Sequence, residues 1–558
     1  MRKLLKILLI ILAIPTVVAV VGIIASVVLY LTTDLQEPYI SPQRLSQYNT
    51  TDSIGCKYYN RGMMQQNEYG LWELKIEGDA VERGDTFGAL ADSLLYYQES
   101  VFVNELYRII PSRSYINFLR YILVLFNRDL GHNINEEYRT EIAAMAHHCT
   151  HEYDFIGTPY QRQLNYHAAH DIGHLMQDYM LVGCSSFAVW DDAASESTLL
   201  VGRNFDFYMG DDFAHNKLIT VCAPDSGYKY ISVGWAGMIG VLSGMNEAGL
   251  TVTINASKGT LPTTTATPIS ILAREILQYA GNIEEAYKIA DSRRTFVSES
   301  ILIGSASDGK AAIIEKSPDK MALFTTEGNH IISTNHYQSD TFATDSRNQE
   351  NIATSDSPHR YARIEALIDS LAPITTQDVA DILRDYKGEG GKYIGQCNEL
   401  SLNQSIAHHA VIFAPQQRTM WVSTAPWQSG AFIAYNLDSI FSDADGTMPL
   451  YDTSLTIAAD TAFINNHYND IVTYRRLTKY IREAADDART VAADTLQRYI
   501  DSNPHLYHTH ALAGDYYLSQ GNVQQAISEW EKALNLAIPR AGERQAIEEK
   551  IKKHTPQI

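Results

Sequence analysis

A surplus of positive charge is what this 558-residue chain most plainly lacks: 44 Lys and Arg stand against 65 Asp and Glu, a formal net charge of −21. Nucleic acid and anionic lipid headgroups both need a positive surface, so neither is expected as a partner of the main body. Cysteine is scarce as well. The five are Cys56, Cys149, Cys184, Cys222 and Cys397, and none stands in a C-x-x-C pair, which removes the zinc-knuckle and thioredoxin-like readings. An odd count leaves at least one thiol over if disulfides form within the chain, and in an extracytoplasmic protein such a thiol is suspect of chemistry. A disordered profile is absent too: 45% of residues are hydrophobic and 10% aromatic, enough for a large core, and the length suggests about two to four domains.

Arg2, Lys3 and Lys6 precede Ile7–Leu31, a run with no charged residue, and Asp34 and Glu37 follow it. At 1.5 Å per residue the run is long enough for a bilayer, and the positive-inside rule would leave the rest extracytoplasmic, periplasmic or at the cell surface. The rival is a cleaved signal, whose apolar region is normally shorter and ends in an A-x-A-like site. The expectation is a single-pass membrane anchor.

Further along, residues 35–70 read as a polar linker, Leu71–Gly78 alternates like a strand, and residues 90–180 read as several helices. From Leu181 short alternating runs separated by Gly, Asn and Asp predict antiparallel sheet, interrupted by helices from Pro268 and His359 and closed by a hairpin over Ala410–Thr424. Strands in blocks with helices between them predict an α+β layered domain. Beyond about residue 455 the chain is helical, and His510–Pro539 has the spacing of one tetratricopeptide-like repeat. One repeat makes no groove, so a helical cap packed on the rest is favoured over peptide capture. The expected domains are 1–34 (cytoplasmic tip and anchor), 35–183 (linker and mostly helical pro-segment), 184–454 (the sheet-rich body) and 455–558 (the helical end).

The segment Val182–Phe207, V-G-C-S-S-F-A-V-W-D-D-A-A-S-E-S-T-L-L-V-G-R-N-F-D-F, carries the chemistry. Cys184 begins a strand, Asp191–Ser197 makes a turn, and the returning strand brings Arg203, Asn204 and Asp206 back beside the thiol. A thiol attacks as thiolate, which a nearby cation favours. Singly, Cys184 would be a small core residue and Arg203 with Asp206 a strand-end ion pair; together they suggest a nucleophile and its attendants.

G-C-S-S-F followed by G-R-N-F-D resembles the maturation site of N-terminal-nucleophile hydrolases, and more narrowly the isopenicillin N acyltransferase-like family (acyl-CoA:6-aminopenicillanic acid acyltransferase), related to choloylglycine hydrolases. The resemblance runs from about Glu77 to Tyr435. It implies an αββα sandwich, self-cleavage between Gly183 and Cys184, and Cys184 as the catalytic nucleophile with Arg203 and Asp206. M-N-E-A-G-L-T-V-T-I-N is similar to the stretch ending in the family's oxyanion-hole Asn, here Asn255. I-S-T-N-H-Y and S-P-H-R-Y-A-R are similar to the segments carrying a second active-site Asn and a supporting Arg, here Asn335 and Arg360. The implied substrate is a small-molecule N-acyl amide, hydrolysed or used in acyl transfer with no cofactor. The 183 residues ahead of Cys184 favour the acyltransferase-like branch over bile salt hydrolases. The aromatic and aliphatic density of residues 90–180 adds the expectation that the chain's own pro-segment stays as a heterodimer partner, with the membrane held through the N-terminal helix.

His167, His170, Asp171 and His174 share a helical face, with His147, His148 and His151 upstream. Zinc could sit at such spacing, but no distal ligand completes the set, so packing is preferred and no metal is expected. The rival from another class is a catalytically silent membrane scaffold that binds partners through its C-terminal helices. A papain-like protease is disfavoured because Cys184 opens a strand rather than a helix.

Overall fold

The computed structural model describes residues 22–25, 27–28, 35–45, 50–53, 55–110, 112–175, 183–259, 265–442 and 449–555. Strands Thr51–Ser53 (β1), Cys56–Tyr59 (β2) and Gly62–Gln66 (β3) lead into Trp72–Gly78 (β4). Helices Ala80–Leu90 (α1), Asp92–Ile109 (α2), Arg113–Phe126 (α3), Glu136–Ala146 (α4) and Pro159–Leu175 (α5) follow. Then come Ser185–Val189 (β5), Leu200–Asp206 (β6), Leu218–Pro224 (β7), Tyr230–Gly234 (β8), Ser243–Asn246 (β9) and Leu250–Ala256 (β10). Helices Ile269–Tyr279 (α6) and Ile283–Ser292 (α7) precede Glu299–Ser305 (β11), Lys310–Lys316 (β12), Met321–Phe324 (β13) and His330–Ser333 (β14). Helices Ser346–Thr354 (α8), Ser357–Leu371 (α9) and Thr376–Leu383 (α10) come next, before Ala407–Ala414 (β15), Thr419–Ser423 (β16), Phe432–Asn436 (β17), Leu437–Ser442 (α11) and Asp452–Ile457 (β18). The end is helical: Thr461–Asp486 (α12), Ala493–Ser502 (α13), Tyr507–Ser519 (α14), Val523–Leu534 (α15) and Ala541–His554 (α16).

The strands form two sheets, β1-β2-β3-β4-β7-β8-β9-β10-β11-β12-β13 and β14-β5-β6-β15-β16-β17-β18. Period-two alternation decides what each face meets. In β11, Ile301 and Ile303 join the cluster built with α1, α4 and α6, while Leu302 joins the cluster between the sheets. In β15, Val411 and Phe413 point to that same middle layer, and Ala410 and Ile412 pack with Ile364, Ile368, Val379 and Ile382 of α9 and α10. Both faces of both sheets are therefore covered, and the order of layers is helix, sheet, sheet, helix. The mixed α+β class is as expected.

Two expectations change. Residues 51–66, read as linker, form β1–β3, whose alternation is too brief to register in sequence: β2 and β3 turn at Asn60 with φ 52°. Their continuation β4 runs parallel to β7, from Trp72 opposite Leu218 to Gly78 opposite Pro224, so the segment before Cys184 belongs to the same sheet as the segment after it. The single-pass anchor over Ile7–Leu31, and the membrane-held location drawn from it, is overturned: among the described residues no helix is long and apolar enough to cross a membrane. Of that span only 22–25 and 27–28 lie within the described residues.

Helix α1 starts on a capping box, in which the Asp79 side chain accepts from the Val81 and Glu82 backbone N–H groups and the Glu82 carboxylate accepts from Asp79 N–H. One turn in, Gly84 lets α4 approach so closely that a Cβ there would sit 2.2 Å from the Glu141 carbonyl oxygen. At that crossing Glu141 accepts from Arg83 Nε at 2.9 Å and from Arg274 Nη1 and Nη2 at 2.8 Å each, all three residues 1% exposed. Burial alone would raise the Glu141 carboxyl, but Arg274 and Arg83 outweigh it and hold it at about 2. The C-terminal helices have their own core, in which Trp530 of α15 is fully buried against Gly514 of α14.

Glu141→Gln leaves two buried guanidiniums facing a neutral amide and is expected to destabilise the full-length chain by about 3–5 kcal/mol, read as a shift of the urea midpoint. Because the folded carboxyl is depressed, its contribution is complete above the ordinary Glu range and drains away as pH falls toward 2. A loss under about 1 kcal/mol at pH 7 would mean the triad is not what ties α1, α4 and α6 together.

Candidate active site

The β5–β6 hairpin forms as the sequence suggested, with Ser185 opposite Asn204 and Ser186 opposite Arg203. The hydrogen bond from Gly183 N–H to the Asp206 carbonyl at 3.2 Å extends that register by two residues and fixes Cys184 at the mouth of the hairpin. Cys184 is 1% exposed, and its Sγ faces the Asp206 carbonyl oxygen at 4.0 Å. Burial pushes the thiol up to about 11 against the pull of Arg203, so in this state it is neutral.

Arg203 is fully buried, and each of its N–H groups is answered. Nη1 donates to the Leu242 carbonyl at 2.7 Å and to Ser243 Oγ, Nη2 to the Ile254 carbonyl and toward Cys184 Sγ at 3.9 Å, and Nε to Asn255 Oδ1 at 3.4 Å. Asn255 also accepts from Ser186 Oγ at 3.1 Å, while its Nδ2 donates to the Ser333 carbonyl at 2.9 Å. Its amide thus supports Arg203 and the β5 strand, and its donor is already committed.

Asp206 is not an ion-pair partner of Arg203. Neither carboxyl oxygen has a hydrogen-bond partner among the described residues, and burial lifts the group to about 8 although Arg360 and Arg203 pull the other way. An acid with no local partner, next to a neutral thiol, is poised to hold or pass a proton.

Arg360, in the first turn of α9, donates through Nη1 to the carbonyl of Cys184 at 2.6 Å and to Ser185 Oγ at 2.8 Å. Its Nη2 reaches Asn335 Oδ1 at 2.7 Å and Asp356 Oδ2 at 2.8 Å, and Asn335 Nδ2 donates to the Ala256 carbonyl at 2.8 Å. The hairpin, β10, the turn after β14 and α9 therefore bring Gly183, Cys184, Arg203, Asp206, Asn255, Asn335 and Arg360 into one continuous network, buried except at the half-buried Asn335.

Sequence reasoning missed several of its members. Gln404 donates from Nε2 to the Gly183 carbonyl at 3.2 Å, a contact across 221 residues with no local signal to reveal it. Behind Arg203, Ser243 Oγ meets His409 Nε2 at 2.9 Å, and His409 Nδ1 meets His408 Nδ1 at 2.9 Å. Asp356 stands four residues before Arg360 on one helical face, a spacing that could have been read. The histidines upstream are dispersed. His167 is a core residue between the Gln163 carbonyl and Ile239 N–H, His148 meets Asp85, and His151 meets Asp154. The side chains of His170, Asp171 and His174 lie outside the described residues. All five cysteines are free thiols.

The sequence profile of the family described as acyl-coenzyme A:6-aminopenicillanic acid acyl-transferase matches residues 193–426, a stretch that includes Arg203, Asp206, Asn255, Asn335 and Arg360 and begins just after Cys184. Among curated proteins, the chain is 30% identical over 154 residues to an uncharacterized protein of Archaeoglobus fulgidus, covering 26% of this chain and 25% of that one. It is 26% identical over 178 residues to protein dcd1B of Dictyostelium discoideum, covering 31% and 34%. The alignments thus span about a quarter to a third of the length of these curated relatives. Among solved structures, an N-acylethanolamine-hydrolyzing acid amidase ortholog of Caenorhabditis elegans is similar at 14% identity and TM-score 0.31, over 42% of this chain and 93% of that one. Penicillin V acylase of Agrobacterium tumefaciens is similar at 15% identity and TM-score 0.30, over 43% and 83%.

The orphaned carboxyl of Asp206 gives a stability signature. Its folded value lies above its unfolded one, so ionisation opposes folding increasingly as pH rises from about 4 toward 8. In an uncut Cys184→Ala chain, adding Asp206→Asn is expected to stabilise by at least about 1.4 kcal/mol at pH 8, the equivalent of one unit. The gain should close near pH 4. A constant or inverted difference between those pH values would show that Asp206 has a partner in the folded chain.

Proposed function

We propose, from the match of residues 193–426 to the acyl-coenzyme A:6-aminopenicillanic acid acyl-transferase family, an amide-processing enzyme that activates itself by cutting after Gly183 and then works through Cys184. One observation carries this reading. The thiol, its cationic neighbour Arg203 and an unpartnered Asp206 carboxyl lie together at the peptide bond that would be cut, sealed from solvent.

In the uncut chain the seal makes the site inert, because no substrate reaches a residue 1% exposed. Cys184 Sγ attacks the Gly183 carbonyl carbon as the thiol proton leaves. The C–N bond then breaks, the Cys184 nitrogen takes a proton, and a thioester forms between Gly183 and Sγ. Water hydrolyses it, giving a Gly183 carboxylate and a free Cys184 with both thiol and α-amine. That amine has an ordinary value of about 7.7–8.0, suited to a general base at neutral pH. Once it has taken a proton, the resulting ammonium can donate to Asp206, whose carboxyl has no hydrogen-bond partner among the described residues.

The mature nucleophile takes the acyl group of an N-acyl amide, releases the amine, and passes the acyl group to water or to another amine. Arg203 favours the thiolate, Asn255 and Ser243 hold Arg203 in place, and Arg360 with Asn335 anchors the start of β5. The N-terminal piece stays bound after the cut, supported by the parallel β4–β7 pairing and by the Arg83–Glu141–Arg274 triad, which bridge the two pieces.

Sequencing of the mature chain's new N-terminus is expected to read Cys-Ser-Ser-Phe, and Cys184→Ala to give a single uncut band of 62.4 kDa with no amidase activity. A Cys184→Ala chain that still splits after Gly183 sinks the assignment. The two pieces of the cut wild-type chain are further expected to elute together from a sizing column in 1 M salt and to separate only in denaturant. Separation by salt alone would mean that the interface is weak.

A further inference from the structure

We infer that the side-chain amide of Gln404 is the oxyanion donor for the cut after Gly183, an inference that rests on the reading of Cys184 as the cutting nucleophile. The oxygen that gains charge when Sγ adds to the Gly183 carbonyl is the one that Gln404 Nε2 already contacts at 3.2 Å. The other side-chain donors around the bond have acceptors elsewhere: Arg203 in carbonyls and the sulfur, Asn255 Nδ2 in Ser333, Asn335 Nδ2 in Ala256, and Arg360 in the carbonyl of Cys184 itself.

The donor is held in advance, which is what makes such groups effective. Gln404 is 2% exposed, and the turn around it is unusual: Ser405 has φ 56°, with its N–H donating to Asn403 Oδ1 at 3.0 Å. Asn403 Nδ2 reaches Ser429 Oγ at 3.2 Å, and Arg475 of α12 donates to the Ser405 carbonyl. The fit also gives the glycine before the nucleophile a physical reason, because a Cβ at position 183 would lie 2.5 Å from Gln404 Nε2. A larger residue there would push away the amide that polarises the carbonyl.

In the step itself the Sγ–C bond forms as the thiol gives up its proton, and the carbonyl π pair moves onto oxygen, where the Nε2–H donates to it. Collapse breaks the C–N bond, the nitrogen takes a proton, and the carbonyl is restored as a thioester. Gln404 gains and loses no atom.

The test follows self-cleavage of freshly translated full-length chains by gel and intact mass. Gln404→Met keeps the volume without the donor and is expected to slow the cut by about 100-fold. Hydroxylamine, which intercepts thioesters, should not restore the rate, because the slowed step precedes the thioester. Gln404→Glu keeps the shape, and only its protonated form can donate. Its cleavage should therefore fail at pH 8 and recover toward pH 5 while circular dichroism shows the same fold at both pH values, a combination that a purely structural role would not give, so this variant decides the matter if Gln404→Met fails to fold. Wild-type cutting rates in Gln404→Met, or a pH-independent Gln404→Glu, overturn the role of Gln404 while leaving Cys184 in place. An uncut wild-type chain, or a cut Cys184→Ala chain, removes both.

Discussion

A guanidinium sealed in the interior dictates much of this architecture. Arg203 has five N–H groups and no exposure, and a buried cation left with an unanswered donor is strongly destabilising. Its partners come from β9, β10, the turn before β9 and the residue before β5, so satisfying one side chain requires both sheets to meet in one register. Four of the five partners are carbonyl, hydroxyl or amide oxygens, which solvate charge without neutralising it. The fifth is the sulfur of Cys184, the one partner in the set that can become an anion. A cation arranged in this way stabilises a thiolate more than a thiol, and it needs no motion to do so.

Asp206 is the counterpart of that arrangement. It shares the interior with two guanidiniums yet makes no hydrogen bond, and burial keeps it largely protonated at neutral pH. A protonated carboxyl and a protonated thiol together leave Arg203 and the Arg360–Asp356 pair as the charges of the site.

Much of the site was legible because its members lie in short local patterns. The Cys184 to Asp206 hairpin has a polar turn between two apolar alternations, and period-two registry alone then places Arg203 beside the thiol. The helices from Ile269 and Ser357 and the hairpin of β15 and β16 stand out for the same reason, as do the paired helices around Gly521. What escaped notice depends on contacts across long sequence separations or on very short elements. Gln404 and His409 reach the site from β15 or the turn before it, and no spacing announces them. The strands β1–β3 are three to five residues long, below the length at which alternation separates from chance. The apolar run Ile7–Leu31 was persuasive as hydropathy, a measure that registers the length of an apolar run and nothing of its structural context.

The two carbonyls that flank the bond after Gly183 are held by different side chains, and each of these side chains leads to the C-terminal helices. On the acyl side, Gln404 contacts the Gly183 carbonyl, and Arg475 of α12 fixes the next residue, Ser405, while also pairing with Asp211 at 2.9 Å. On the amine side, Arg360 holds the Cys184 carbonyl and is oriented by Asp356, which Arg540, at the start of α16, approaches to 3.9 Å while pairing with Glu399 at 3.3 Å. Between these two lines Asn503 exchanges hydrogen bonds with the backbone of Gln396 at 3.2 and 2.8 Å, so the loop leading to Gln404 is gripped along its length. Attack on a peptide carbonyl by its own neighbouring side chain needs that bond to be presented in one narrow geometry, and a 1 Å displacement is enough to lose it. The helical end of the chain is thus built into the frame around the Gly183–Cys184 bond, the bond that the proposed self-cleavage would break.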